Sequence, residues 1–361
     1  MSMTSTKLSL RILTANIGLY PQEPTSVEAD AIQVVEAHTV TTPDTLLQNE
    51  YTCLLEGELT DFLPFSGEEN AQWLIDIAHD LCDPRYKRGS LWVCGSDNQD
   101  HSVNPTDPLT PSTYEYRTPV IIHITKKSTR EGKSRSQSWS DAENMLEALR
   151  EREGQCWISK STVPLTTAHI VPKRMGDAEA REIYEDFTDK HAPAGMTALH
   201  PEFGILLDLN MEYWFDDYWI GFRYNGNDTS YAVHNFYKET IGTFGTTYSD
   251  MMARNNGWKD LHGKVITIPN PASPINPPPG LFRWHYLQCV IRKFSATDYQ
   301  NIAHIALPEK SVQMKGDSDD ECTDSEADWP SAVFDRARFA WAQAQLEAER
   351  MDAVAQWIAS A

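Results

Sequence analysis

The chain has 361 residues and a formal charge of −21 at pH 7. Hydrophobic residues make up 40% of it, with 11 Trp and 14 Tyr, which is enough for a substantial core and excludes a wholly disordered chain. The negative balance argues against a surface built mainly to wrap nucleic acid, because phosphate contacts need clustered lysine and arginine.

Residues 1–127 predict a β-rich or α+β N-terminal region. Apolar and polar residues alternate over 7–17, which is typical of a half-buried strand. Helical spacing over 69–81 predicts a helix between later strands. Further strands are predicted at 51–55, 90–94 and 118–125, where turn-forming residues separate the apolar runs.

A basic, serine-rich segment, 128–138, predicts an exposed linker or loop before a second domain at 139–294. Within that domain a polar insertion, 173–200, interrupts the chain and has helical spacing over 177–187. The other predicted elements are a helix at 141–152, a hairpin of strands 218–224 and 231–236, a strand at 265–268 and an amphipathic helix at 281–294.

The C-terminal part predicts a linker over 295–328, with a dense acidic tract at 317–328, followed by a long helix within 329–361. We interpret the tract as disordered and, with the helix, as a candidate surface for protein partners. No apolar run reaches the about eighteen residues that a membrane span needs. The N-terminus lacks a secretion signal, so we expect an intracellular protein of the nucleus or cytoplasm.

The segment Thr-Thr-Ala-His-Ile-Val-Pro at 166–172 predicts a strand that ends at an imidazole, His169. The block at 204–216 predicts a short strand followed by a helix. On that helix Asp208, Glu212 and Asp216 recur every four residues, so they lie along one stripe and could offer oxygen ligands to Mg²⁺ or Mn²⁺. Metal-dependent phosphodiester hydrolysis needs such a base and such a cation.

Three segments in this order resemble the HNH nuclease family, in the variety common in fungal proteomes: REREGQCWIS at 150–159, AHIVP at 168–172 and GILL…FD at 204–216. That family typically has R-D-G-x-x-C-x-x-T, A-H-I-x-P and N-G-I-x-L-x-x-x-x-H-x-x-F-D. The segment at 277–290 is similar to one that often follows the nuclease core. The resemblance covers roughly 140–294 and implies an α+β protein with a central ββα-metal core and Mg²⁺ or Mn²⁺ as cofactor.

Position by position, the resemblance implies that His169 is the general base. The motif asparagine, which orients that imidazole, falls on Phe203, and the final metal-binding histidine falls on Glu212. Glutamate can bind Mg²⁺, whereas phenylalanine accepts no hydrogen bond, so His169 would lose control of its tautomer unless another side chain replaces the asparagine. The candidates for that orienting role are Thr167, His200 and Asn210.

Two functions therefore remain open. The chain is either a divergent HNH-like scaffold with reduced or lost phosphodiesterase activity, used for binding or assembly, or an active Mg²⁺- or Mn²⁺-dependent endonuclease. In the second case His169 is the base, and Asp208, Glu212 and Asp216 are the metal ligands. Nucleic acid is a candidate partner of both, and we expect no membrane association.

Overall fold

The computed structural model contains ten strands and seven α-helices among the residues that it describes. It describes residues 6–18, 50–67, 71–94, 100–125, 127–128, 139–162, 164–224, 226, 229–237 and 261–305. The strands are β1 (Lys7–Leu13), β2 (Tyr51–Glu58), β3 (Ser90–Cys94), β4 (His101–Ser102), β5 (Thr113–Arg117), β6 (Leu165–His169), β7 (Gly204–Asp208), β8 (Ile220–Tyr224), β9 (Ser230–Asn235) and β10 (Val265–Thr267). The helices are α1 (Leu59–Ser66), α2 (Gln72–Cys82), α3 (Trp139–Glu153), α4 (Gly176–Thr188), α5 (Leu209–Asp216), α6 (Pro279–Phe294) and α7 (Thr297–Ile305).

The N-terminal strands form a five-stranded mixed sheet in the order β2-β1-β5-β3-β4. Strand β1 lies antiparallel to β2 and parallel to β5. Leu8, Leu10 and Ile12 of β1 are fully buried, whereas the residues between them are not. Successive side chains of a strand point to opposite faces, so the predicted alternation over 7–17 is confirmed for β1, and a short 3₁₀ turn at Thr14–Asn16 ends it.

In this N-terminal region the structure differs from the sequence prediction at one strand and one helix. The strand predicted at 118–125 was wrong. The strand that pairs in the sheet is β5 at Thr113–Arg117, and after it Ile122 forms only an isolated β-bridge with Ile17. Pro119 lacks the N–H that a ladder needs. Helix α1 was not predicted, because it is short and contains Pro64, which is usually excluded from helix interiors.

The predicted hairpin is confirmed: β8 and β9 pair antiparallel, and β10 extends them into a three-stranded sheet. Helix α6 packs on β8 and is buried on most of its surface, with Trp284, His285 and Leu287 almost inaccessible to solvent. The helix predicted at 281–294 is therefore a central helix of the core, buried around most of its circumference and not along one face alone.

One hydrophobic core contains buried residues from both sides of the basic segment, among them Leu10, Trp157 and Trp284. The mixed α+β class is confirmed. Helix α4 lies within the predicted insertion and matches its predicted helix closely. None of the described helices is long and apolar enough to cross a membrane. The acidic tract and the helix predicted within 329–361 lie outside the described residues.

Candidate functional site

Two antiparallel strands and a helix position the sequence-predicted site residues. Strands β6 and β7 pair so that His169 lies opposite Gly204 and Leu165 opposite Asp208. Helix α5 begins directly after Asp208 and packs against β6. Asp208 is thus separated from the His169 end of the hairpin by about 13 Å of extended strand, whereas α5 runs back along β6.

The far end of α5 meets His169 at a cavity of about 180 Å³. Its lining includes Asp216, the last residue of α5, so the structure brings His169 together with one of the three predicted carboxylates. The complete lining is His169, Pro172, Lys173, Arg174, Asp216 and Tyr218. The cavity is about ten times larger than the 10–15 Å³ that one water molecule requires, but smaller than the ~300 Å³ of typical drug-sized sites.

Burial controls the charge of His169. Desolvation, with a smaller contribution from the cationic Lys173, lowers the pKa of its imidazole to about 4. The ring is therefore neutral at pH 7, and a neutral ring retains one nitrogen able to accept a proton. Its Nδ1 is buried and has no hydrogen-bond partner among the described residues, which is uncommon for a buried polar atom.

The predicted orienting residues do not reach this nitrogen. Thr167 Oγ1 is itself buried and lacks a hydrogen-bond partner within the described part of the chain. His200 Nδ1 accepts a hydrogen bond from the backbone N–H of Glu202 at 3.4 Å, which caps a 3₁₀ turn. The Asn210 side chain lies outside the described residues. The ring of Phe203 is fully buried and contacts the ring of Tyr184 edge to face, with centroids 6.1 Å apart.

The three predicted metal ligands have different surroundings. Asp208 caps helix α5, since its Oδ1 accepts the N–H of Met211 at 3.0 Å, and the Cys156 thiol donates to its Oδ2 at 3.6 Å. Asp216 lines the cavity, and Glu212 is half-buried between them on the helix. Nowhere in the described residues do three or more His, Cys, Asp or Glu side chains group as metal ligands would. Asp208 and Asp216 lie at opposite ends of α5, and Asp208 is engaged as its cap, so the three carboxylates do not fit one shared Mg²⁺ or Mn²⁺ site.

Tyr218 is a cavity residue that the sequence did not reveal. It follows helix α5 with φ +57°, in the left-handed position where helices usually end on glycine. Its N–H donates to the carbonyl of Phe215 at 2.9 Å. A bulky residue is strained there, and burial raises the pKa of its hydroxyl, with Ser128 beside it opposing the rise.

Lys173 and Arg174 were not predicted as site residues, although they directly follow the AHIVP segment. They form the 3₁₀ turn Lys173–Met175 that leads into α4. The Lys173 side chain is exposed, and Arg174 donates to Ser128 Oγ at 3.4 Å. The two adjacent cations give this cavity a positive rim, which their sequence position beside the strand end could have indicated.

Arg152 and Glu153 stabilise the outer edge of strand β7. Arg152 donates to the Gly204 carbonyl at 2.7 Å and forms a buried ion pair with Glu153. The Glu153 carboxylate accepts the backbone N–H of Leu206, and the N–H of Trp157 donates to the Leu206 carbonyl at 3.2 Å. These contacts satisfy backbone groups of β7 that a sheet edge would leave unpaired. They give Arg152 and Glu153 a structural role next to the β6–β7 strand pair.

Comparisons with protein-family models, with curated proteins and with solved structures gave no match to this chain. The functional interpretation of the cavity therefore depends on its geometry and on the motifs quoted above.

Proposed function

We propose that this chain is a degenerate relative of the HNH nucleases, in which the strand-strand-helix unit of β6, β7 and α5 serves as a binding or assembly scaffold and phosphodiesterase activity is reduced or lost. The antiparallel pairing of β6 with β7 and the position of α5 directly after them support this ancestry. So does His169, which ends the first strand as it would in the ββα-metal core.

The main support for lost activity is that Asp208 and Asp216 lie far apart. A metal-dependent nuclease must hold its cation between the base and the ligands, within about 2–2.6 Å of each ligand oxygen. Asp208 is instead committed to capping α5 at the opposite end of the hairpin from His169. Of the three predicted carboxylates, all within the described residues, Asp216 alone lines the cavity with the imidazole.

The environment of His169 supports loss of activity as well. A general base needs its second ring nitrogen fixed by a hydrogen bond, which sets the tautomer. Nδ1 is buried with no such partner among the described residues, and Phe203 turns an apolar ring against Tyr184. The imidazole thus keeps its position but not its orienting contact.

The second candidate function is an active Mg²⁺- or Mn²⁺-dependent endonuclease. Its support is that His169 is neutral at pH 7 and lines one cavity with Asp216. A neutral imidazole beside a carboxylate retains part of the chemistry that hydrolysis requires.

Cleavage of a plasmid and of an RNA transcript, with Mg²⁺ and with Mn²⁺, separates these functions. His169→Ala is the test variant, and His191→Ala, at an exposed histidine, is the matched control. If the scaffold has lost its phosphodiesterase activity, the wild-type protein and both variants should show the same background cleavage. Metal-dependent cleavage that His169→Ala abolishes and His191→Ala retains would establish the endonuclease instead.

Assembly partners are proposed to contact the acidic tract at 317–328 and the helix predicted from sequence within 329–361. This part of the proposal rests on sequence pattern, since both segments lie outside the described residues.

A further inference from the structure

We infer that the extended segment 121–125, together with an acidic cavity beside it, is a docking surface for an extended, basic peptide segment of a protein partner. The peptide adds as a strand along Ile121, and one of its lysine or arginine side chains enters the cavity. This cavity shares no lining residue with the one at His169, and the inference does not depend on the proposed function.

The backbone of this segment is paired on one side. Beyond the end of β1, the N–H of Ile122 donates to the Asn16 carbonyl at 2.9 Å, and the Ile122 carbonyl accepts the N–H of Gly18 at 2.8 Å. Successive residues of an extended chain direct their N–H and C=O groups to opposite sides, so those of Ile121 point away from this pairing. They form no hydrogen bond to a described residue. Because Ile121 is also 68% exposed, its backbone forms an accessible strand edge.

The edge is open because strand β3 begins at Ser90. Ser90 pairs with Arg117 of β5 in an antiparallel ladder, and continuing that register would place Tyr86 opposite Ile121. The residues before β3 instead diverge and line, together with 121–125 and helix α4, a cavity of about 250 Å³. Tyr86 is 60% exposed, so the gap in the sheet has an apolar residue on each side.

The cavity is acidic. Its carboxylates on α4 share one helix face and are Glu179, Glu182 and Asp186. On the opposite wall Arg88 forms an ion pair with Asp83 at 2.9 Å, so these two charges neutralise each other. In the described lining, the guanidinium of Arg85 then remains against three carboxylates, and this balance favours a cationic occupant.

Asp186 in particular gains from such an occupant. It is half-buried, and no ion pair holds it among the described residues. Burial raises the pKa of its carboxyl, the like charge of Glu182 adds to the rise, and the cation of Arg85 opposes it. A cation placed beside a half-buried carboxylate stabilises the charged form.

The size and lining of the cavity fit one long side chain. About 250 Å³ is far more than the 10–15 Å³ that one water molecule needs, and it falls below the about 300 Å³ at which sites for drug-sized molecules begin. Ile183 and Phe187 line it between and beside the carboxylates, where the aliphatic stem of a lysine or arginine packs well. An extended peptide thus satisfies both features, since its backbone pairs with the edge and its side chain fills the cavity.

Binding of a labelled pentapeptide tests the inference. The probe is Thr-Val-Lys-Val-Thr, amidated and carrying fluorescein at its N-terminus, and it is titrated with the full chain while fluorescence anisotropy is recorded at low and at high salt. We expect saturable binding that weakens as salt increases, because salt screens exposed charges. The peptide with norleucine in place of lysine keeps the aliphatic stem without the charge and should bind about fivefold more weakly.

Substitutions in the chain locate the bound cation. Asp186→Asn should weaken binding of the lysine peptide by about fivefold, and Glu182→Gln, at a more exposed position, by about twofold. Glu151→Gln, at an exposed glutamate of α3 outside the lining, should leave affinity unchanged. Equal weakening by Glu151→Gln and Asp186→Asn would mean that the peptide responds to the net charge of the chain alone, and would overturn the inference.

Methylation of the peptide backbone tests the strand pairing. An extended peptide directs alternate N–H groups to opposite edges. A peptide that is N-methylated at its lysine and one that is N-methylated at both valines should therefore differ in affinity. Equal affinity of these two peptides overturns the inference, and so does the absence of saturable binding by the unmethylated probe.

Two further measurements separate a protein partner from other occupants of the surface. Replacing Arg130, Lys133 and Arg135 together by alanine should leave peptide affinity unchanged, whereas tighter binding would assign the surface to the basic segment of this chain. Sedimentation with and without peptide should show the same mass of the chain. A dimer that the peptide dissociates would assign the surface to a second copy, and either of these opposite results overturns the inference.

Discussion

The N–H of Ile170 donates to the carbonyl of Phe203 at 2.8 Å, so the backbone holds Phe203 beside the end of strand β6. Its ring is fully buried and contacts Tyr184. Phe203→Asn should therefore destabilise the protein by about 3 kcal/mol or more, because the substitution removes buried aromatic volume and buries an amide. Urea denaturation followed by tryptophan fluorescence measures this loss.

Phe203→Leu is the control for that substitution, since it keeps an apolar side chain and should be less destabilising than asparagine. An asparagine variant as stable as wild type would show that Phe203 is not a packing residue. In that case packing in the core would not explain why phenylalanine stands at 203 in place of the motif asparagine.

Glu153 should be essential for stability although it lies outside the cavity. Its carboxylate pairs with Arg152 and accepts the N–H of Leu206, in a buried setting. Glu153→Ala leaves a buried guanidinium without its counter-ion and a strand N–H without its acceptor, and should destabilise by about 3–5 kcal/mol. Glu151→Ala, at an exposed position of the same helix, should change the free energy of unfolding by less than about 0.5 kcal/mol. Equal effects of the two variants in chemical denaturation would contradict the edge-stabilising role.

The Tyr286 hydroxyl connects two buried groups. It accepts from Trp73 Nε1 at 2.9 Å and is hydrogen-bonded to His234 Nδ1 at 2.6 Å. Tyr286→Phe leaves both groups without this partner and should destabilise by about 2 kcal/mol or more. Tyr86→Phe, at a 60% exposed tyrosine, is the matched control with no expected change. Thermal and urea unfolding curves that coincide for the two variants would refute the connection.

The buried histidine His285 should make the fold sensitive to acid. Burial lowers its pKa to about 3 from the usual 6.5, despite the opposing effect of its hydrogen bond to the Phe215 carbonyl. Between those values the unfolded chain takes up a proton that the folded chain does not, so stability falls as the pH decreases from about 6.5 towards 3. One such group contributes a slope of up to about 1.4 kcal/mol per pH unit.

His285→Gln should therefore reduce the dependence of unfolding free energy on pH between about 6 and 4, relative to wild type. Denaturation at several pH values within this window measures the difference in slope. If the unfolding free energies of the two proteins depend on pH with the same slope, His285 is protonated equally in the folded and the unfolded state.

Local patterns predicted much of the fold. Strand β3 has the predicted bounds, Ser90–Cys94, because a short apolar strand between turn residues is visible in sequence. Helix α6 begins at Pro279, two residues before its prediction, and ends at Phe294 as predicted. Helix α1 was missed because Pro64 argues locally against a helix that tertiary packing nevertheless stabilises.

The candidate site was only partly predictable. The family resemblance implied the pairing of the His169 strand with the strand before Asp208. Helix spacing predicted a stripe of three carboxylates, of which Asp216 lines the cavity. The capping of α5 by Asp208 depends on where the helix begins, which sequence leaves uncertain by one or two residues. The left-handed φ of Tyr218 and the contact of Glu153 with Leu206 arise from tertiary structure, and no local pattern specifies them.

Binding of Mn²⁺ tests the central claim most directly, which is that the carboxylates of α5 do not assemble a cation site with His169. Mn²⁺ is titrated into the wild-type protein and into Asp216→Asn, while paramagnetic broadening of the His169 ring resonances is recorded. The account predicts that wild type and Asp216→Asn show the same weak, non-saturating broadening. Saturable broadening of His169 in wild type that Asp216→Asn removes would contradict it.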